Sequence, residues 1–373
     1  MGQISIVLSK KKIEYDFAEA LMLHEISELP SIGVDGRMMK PEGWISTLEN
    51  LLECYKDLDD LPEINNKKKN RLNNTKQRLE YILQEFKTHY DDWVIQRDKR
   101  EGTVTIKPID VSRMCKQYFF DHVDYTLMMS ATILSKDHFC KWHGLNPDDV
   151  EYIYQKSPFP KERRPIILET IGSMAYKNIE NTKPKTIHPM RRIMEQYSDD
   201  KGIIHTHSHS LALYLTNNLN SQRTITYTSE PGTKHRDKLS REDIIEEFRE
   251  SEEPLVLIAP SVSEGVDLPD DLCRFQILYK VPYPSLHEKQ IKFRMKRDPD
   301  WYAFKTVSSI LQSYGRGMRS KDDYCTTFIT DADIHSVLND GWRRCAKFIP
   351  DYFEEAIGLE EVKNLDKNTL DGF

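Results

Sequence analysis

The stretch Thr306–Asp323 reads TVSSILQSYGRGMRSKDD, and the rest of the chain is best understood outward from it. Val307, Ile310, Leu311, Tyr314 and Met318 recur at the spacing of one buried helix face, which predicts a helix reaching about Arg319. Gln312, Gly315, Arg316 and Arg319 fall at i, i+3, i+4 and i+7 and form a second, polar stripe. Two guanidiniums one turn apart, beside a residue with no side chain, suit an anion that must come very close. Arginine fits that task because its planar fork pairs with phosphate oxygens and stays charged. The same pattern also describes a solvated helix face with two arginines on it, so the surroundings must decide.

Those surroundings alternate between strands and helices. Expected strands are GIIHTH (202–207), TITYT (224–228), LVLIAP (255–260), RFQILYKV (274–281) and YCTTFIT (324–330). Expected helices are KTIHPMRRIMEQY (185–197), SHSLALYLTNNL (208–219), REDIIEEFRE (241–250) and the segment after His287, with Ser240 and Asp243 as a capping box. Apolar strands separated by helices imply an α/β fold, a parallel sheet covered on both faces. In such sheets ligands bind at loops leaving the carboxyl ends of strands.

Three loops carry unusual chemistry. Ser130-Ala131-Thr132 follows YTLMM, which reads as a buried strand; its hydroxyls suit phosphate or a helix cap. His205-Thr206-His207-Ser208-His209-Ser210 alternates histidines without acidic or cysteine partners, so no metal site is expected there. Ser208 and the free N–H groups of the helix it opens suit a nucleic-acid phosphate. Ser261–Pro269 (SVSEGVDLP) offers the Ser263 hydroxyl, a tight backbone at Gly265 and a carboxylate at Asp267.

Residues 1–101 read differently, as a polar, helical insertion. Helices are expected over 14–29, 44–58 and roughly Thr75–Arg97, the last with Leu79, Ile82, Leu83, Phe86 and Tyr90 on one face. Composition changes near Gly102, where TVTIKPI (103–109) alternates like a strand and VSRMCKQYFFDHV (111–123) like a helix. The 373 residues suffice for two domains, and 38% hydrophobic with 30% charged residues is ordinary for a water-soluble core. A net charge of −7 does not advertise a nucleic-acid binder, although a local basic groove is compatible with it. Six scattered cysteines without a CxxC pair fit a reducing cytoplasm better than a zinc site or a disulfide framework. No apolar run is long enough to span a membrane, and MGQISIVLSKKK lacks a signal-peptide layout.

Taken in order, MSATIL (129–134), GIIHTHSHSLA (202–212), APSVSEGVDLPDD (259–271) and QSYGRGMRSKDDY (312–324) resemble the motifs of superfamily-two DNA helicases of the XPD/DinG type. The resemblance covers about 103–348 and implies a RecA-like second motor domain over 150–373. It also implies a closing segment of a first motor domain over 102–149, and part of an arch insertion over 1–101. Arg316 and Arg319 would be arginine fingers to the γ-phosphate of ATP, with Gln312 positioning nucleotide or water and Gly315 allowing close approach. Gly265 and Asp267 would serve the nucleotide cleft. Thr206, Ser208 and Ser263 would touch the DNA backbone, and Ser130 and Thr132 would couple hydrolysis to motion.

The sequence departs from the family in having no G-x-x-x-x-G-K-[ST] loop, no D-E-A-H-like box and no four-cysteine iron–sulfur cluster. The resemblance therefore implies the C-terminal motor portion of an ATP-dependent, 5′→3′ DNA helicase, inactive alone. ATP and Mg2+ would be its cofactors, the Mg2+ ligands lying on a nucleotide-binding N-terminal half, and single-stranded or forked DNA its substrate. A non-catalytic module that binds single-stranded DNA or a repair partner is the alternative. A nucleotide-sugar transferase would need a donor site the residues do not offer.

Overall fold

The computed structural model describes residues 6–9, 41–56, 66–98, 103–228, 240–260, 268–320, 322–339 and 344–358. They divide into two units, Met1–His122 with Trp142–Gly144 and Ser285–Lys296, and Val123–Lys141 with Leu145–Pro284 and Arg297–Phe373. The helix expected over 14–29 lies outside the described residues.

In the first unit, α1 (Pro41–Lys56) and α2 (Asn66–His89) form the helical part. Trp44, Leu48 and Leu51 recur every three or four residues on α1 and meet Leu79, Ile82 and Phe86 of α2 in one core. The third expected helix stops at His89, not near Arg97. Residues 93–98, WVIQRD, instead form strand β2 (Trp93–Asp98). The consecutive aromatic and β-branched residues Trp93, Val94 and Ile95 favour a strand there, and Trp93 and Ile95 join the core beside Ile106. β2 pairs antiparallel with β3 (Thr103–Pro108), which pairs on its other side with β1 (Ile6–Ser9). The strand after Gly102 therefore belongs with the residues before it. Helix α3 (Ser112–Tyr118) follows. Much later, α8 (Lys289–Arg297) rejoins this unit, where Gln290 donates to the Pro108 carbonyl at 2.5 Å and Arg294 pairs with Asp110 at 3.0 Å.

The second unit is built on a six-stranded, all-parallel sheet, as expected. Its strands are β4 (Ile166–Gly172), β5 (Gly202–His205), β6 (Thr224–Ile225), β7 (Val256–Ala259), β8 (Phe275–Leu278) and β9 (Thr326–Asp331), in the order β4-β9-β8-β5-β7-β6. One face packs on α5 (Ile179–Gln196) and α6 (His209–Leu219) through Met190, Ile193, Leu211 and Leu215. The other receives Ile244, Ile245 and Phe248 of α7 (Arg241–Glu250), whose Ser240–Asp243 capping box is present. Strand β4 was not foreseen: IILETIG interrupts its apolar run with Glu169 and Thr170, as suits an edge strand with one neighbour.

Two expectations need correction. Tyr125–Leu134 forms no strand, and Tyr125, Leu127 and Met129 are 96%, 83% and 83% exposed. An apolar run becomes a buried strand only where a sheet edge receives it, and among the described residues neither sheet does. The helix bearing the arginines, α9 (Pro299–Tyr314), ends at Tyr314 rather than near Arg319. Four shorter helices are α4 (Lys136–His143), α10 (Ile334–Leu338), α11 (Asp351–Glu354) and α3 already named.

Candidate functional site

Helix α9 begins at the Asp298 cap, whose carboxylate accepts from the Trp301 amide, and buries Val307, Ile310, Leu311 and Tyr314 as expected. Its end is fixed twice. The Tyr314 carbonyl accepts from the Gln276 side-chain amide at 2.7 Å, and the Tyr314 hydroxyl donates to the Arg164 carbonyl at 2.8 Å. Gly315 then caps the helix, its N–H donating to the Leu311 carbonyl, and the Arg316 N–H turns back to the Ser313 carbonyl. Gln312 and Gly315 thus stay with the helix, while Arg316 and Arg319 stand on the turn beyond it. The single stripe expected from i, i+3, i+4, i+7 spacing does not form, because two glycines weaken helix continuation and Gln276 holds the last carbonyl. Arg316 is half-buried and Arg319 exposed.

The turn is pressed onto the beginnings of β8 and β9. A Cβ at Gly317 would lie 2.2 Å from Cys325 Sγ and 3.5 Å from the Cys273 carbonyl. Met318 leaves the helix face predicted for it and joins Ile203, Leu257 and Cys273 in the core beneath α7. Gly317 is therefore required by close approach, a role its spacing did not reveal.

The Thr206–Ser210 loop leaves the end of β5. Thr206 is fully buried, its hydroxyl donating to the Ser208 and Ala259 carbonyls at 3.0 and 3.3 Å. It braces the loop. Ser208, half-buried at the N-cap of α6, faces Ser210 with hydroxyl oxygens 2.8 Å apart, and their neighbour His209 is exposed. His207 holds the loop in a left-handed conformation at φ 52°.

His205 lies wholly inside. Its Nε2 is 3.2 Å from the Gln276 carbonyl oxygen, while Gln276 Nε2 serves Tyr314 and Thr327. Since that amide nitrogen donates, its oxygen must accept, so the neutral ring carries its proton on Nε2. The other nitrogen, Nδ1, is buried without a partner. Burial pushes His205 down to about 3, with His207 and Arg316 adding positive charge nearby. Burial, then Lys280, pushes His207 down to about 4. One buried polar chain, His205–Gln276–Tyr314, thus runs from the strand before Thr206 to the helix end before Arg316. Gln276 was legible only as a polar interruption in RFQILYKV.

Ser130 and Thr132 face one another at 3.1 Å on an exposed loop. Ser263, Gly265 and Asp267 lie outside the described residues. Among the described residues no group of three or more His, Cys, Asp or Glu side chains could hold a metal ion, and no helix is long and apolar enough to cross a membrane. Residues 190–350 match the family model described as the helicase C-terminal domain.

Among curated proteins, the chain is 24% identical over 277 residues to the "Probable ATP-dependent helicase" of Methanocaldococcus jannaschii, covering 68% of this chain and 41% of that protein. It is 28% identical over 93 residues to a "Regulator of telomere elongation helicase 1 homolog" of Caenorhabditis elegans, covering 21% of this chain and 9% of that protein. The chain spans less than half the length of these relatives. Among solved structures, S. tokodaii Xpd4 superposes with TM-score 0.52 at 16% identity, covering 94% of this chain and 67% of that one. An XPD helicase superposes with TM-score 0.53 at 16% identity, covering 91% and 64%. The parallel sheet and its helices are RecA-like and share the fold of these structures, and residues 190–350 are similar to the helicase C-terminal domain family.

Proposed function

We propose that this chain supplies the second motor domain of an ATP-dependent DNA helicase, with Arg316 and Arg319 reaching the γ-phosphate of ATP bound on another motor half. The observation that carries this reading is the arginine turn. Its backbone is fixed from behind by Gln276, Arg164 and the Gly317–Cys325 contact, while Arg319 is exposed and Arg316 half-buried. Rigid positioning of cations at an open surface is what stabilising a phosphoryl-transfer transition state demands, because such groups must not reorganise as charge develops. Gln312 is exposed one turn earlier, and in this reading it orients nucleotide or water.

The 373 residues contain no glycine-rich phosphate cradle with its lysine and hydroxyl, so the cradle and the Mg2+ ligands come from a nucleotide-binding half outside this sequence. Single-stranded or forked DNA is gripped along the Ser208–Ser210 loop, at the start of α6, with Thr206 as its internal brace and Ser263 as a further contact. Ser130 and Thr132 couple the two events. Backbone phosphates dominate such binding, which is therefore salt-dependent and indifferent to base sequence.

The test is DNA-stimulated ATP hydrolysis by this chain combined with a nucleotide-binding helicase half. Arg316→Ala and Arg319→Ala each lower the rate by roughly 10³-fold or more, with single-stranded DNA affinity retained. Robust hydrolysis by the isolated chain, abolished by Arg316→Ala, refutes the division of labour. DNA binding without hydrolysis in any combination would favour a non-catalytic DNA-binding module.

A further inference from the structure

Asp323 is the most heavily bonded carboxylate of the arginine turn, and the function proposed above gives it no role. Its side chain is fully buried. Oδ1 accepts from Arg274 Nη1 and from the Tyr324 amide, both at 2.8 Å. Oδ2 accepts from the Arg319 amide at 3.2 Å and from the Asp270 amide at 3.3 Å. Arg274 is itself anchored: its Nη2 pairs with Asp271 at 2.6 Å, and its guanidinium lies 4.0 Å from the centre of the Tyr324 ring. One oxygen thus faces the ion pair, and the other ties two backbones distant in sequence. Asp270 carries a left-handed φ of 55°, a conformation that costs a non-glycine residue energy and persists only where its surroundings fix it.

We propose that Asp323 is a positioning residue, holding the amide of Arg319 and the chain at Asp270 in one register so that the arginine turn meets the nucleotide in a fixed place. This inference rests on the reading of Arg319 as an arginine finger, and it assigns the control of that finger to a carboxylate that touches no substrate. The geometry separates two jobs. The Arg274 pair neutralises a buried charge. The Oδ2 contacts set the backbone. A carboxylate present only to neutralise Arg274 would not need its second oxygen between two amides from different loops.

Two substitutions separate these jobs. Asp323→Asn keeps the shape but removes the charge and weakens both amide contacts; Arg274→Met removes the ion pair and leaves Oδ2 with its amides. Hydrogen exchange is measured on the whole chain. Asp323→Asn should release the Arg319 and Asp270 amides together while β9 stays protected, and Arg274→Met should leave both protected. Retained protection of the two amides in Asp323→Asn overturns the proposal, whatever the chain hydrolyses.

In combination with a nucleotide-binding half, Asp323→Asn should lower kcat roughly a hundredfold with KM within about threefold, the cost of misplacing a reacting group by about 1 Å. Arg274→Met should lower stability while keeping kcat near wild type. Equal loss of kcat in the two variants would mean a merely structural ion pair and would also overturn the proposal. If wild type hydrolyses no ATP in any combination, the helicase reading fails on its own evidence, and hydrogen exchange alone decides whether Asp323 sets the turn.

Discussion

The side-chain amide of Gln276, in the middle of the sheet, donates to the carbonyl of Tyr314, the last residue of α9, at 2.7 Å. That bond ends the helix and so fixes where Arg316 begins. The same side chain donates to Thr327 Oγ1 at 2.9 Å and accepts from His205, leaving no part of the amide idle. A fully satisfied buried network is specific because every alternative strands a polar group.

Replacing Gln276 by leucine therefore costs more than the bonds it removes. The Tyr314 carbonyl, the Thr327 hydroxyl and the His205 ring all lose their partner inside the core, and each orphaned group costs about 1–3 kcal/mol. Urea unfolding of Gln276→Leu should show a loss of roughly 2–5 kcal/mol. Gln276→Glu, ionised, cannot donate to Tyr314 and should fare no better despite its matched shape. A loss below about 1 kcal/mol in both variants would mean that the network relaxes and does not hold the turn.

Gly317→Ala tests the turn from its other side. The added carbon would sit 2.2 Å from Cys325 Sγ and 2.6 Å from its Cβ, and neither can retreat because both belong to the packed core. Overpacking of this kind costs about 1–3 kcal/mol. Cys325→Gly removes both offending atoms, so the double variant should recover part of the loss. A double-mutant cycle with no coupling between the two sites would show that the turn lifts away freely instead.

Much of this was readable beforehand, for identifiable reasons. Strands β5, β7 and β8 are short apolar runs between helices, and the capping box before α7 uses only local chemistry, so both survive folding unchanged. The arginines were found because guanidiniums beside glycine are rare enough to notice. What was missed depends on non-local geometry. Helical spacing continued past Tyr314 in the sequence, but Gln276 from another strand ends the helix. Asp323 looked like one of two acidic residues before a strand, and its four donors come from residues up to 53 positions away. Met318 kept its hydrophobic character but packs into a different part of the core from that assigned by period.

His205 makes stability fall in mild acid. Its folded value is depressed to about 3, whereas the unfolded ring titrates near its ordinary 6.5. The stabilising contribution is therefore complete above about pH 6.5 and is lost as pH falls toward 3, because the unfolded chain takes up a proton that the folded one refuses. At pH 5 the ring alone should cost about 2 kcal/mol relative to pH 7.5. Asp331 works in the opposite sense. Burial lifts it to about 6 despite the Val281, Met174 and Asp333 amides that favour its charged form, so it loses stability as pH rises from about 4 to 6. The effect of His205 is isolated by comparing wild type with His205→Gln, which has no ionisable group there. The stability difference between the two should change by about 2 kcal/mol in favour of the variant between pH 7.5 and 5. A difference independent of pH would place a proton on the buried ring without penalty and contradict the geometry around Nδ1.

The exposed side chains of Tyr125, Leu127 and Met129 invite a prediction of the opposite kind. At alternating positions the three would line one face of a strand and be buried by a neighbouring layer, yet the segment forms no strand and all three are more than four-fifths exposed. Side chains already in water contribute almost nothing to folding, so Leu127→Ser and Met129→Ser should each change unfolding free energy by no more than about 0.5 kcal/mol. The same substitution in a strand of the parallel sheet, such as Ile277→Ser, empties a core position with 0% exposure and should cost several times as much, about 3 kcal/mol or more. If the segment completes the sheet of a nucleotide-binding half, Leu127→Ser should weaken association with that half while leaving the isolated chain's urea midpoint in place. A variant that lowers the midpoint of the isolated chain by the equivalent of 1.5 kcal/mol or more would show that these side chains already pack within it, and the segment would then have no strand to give.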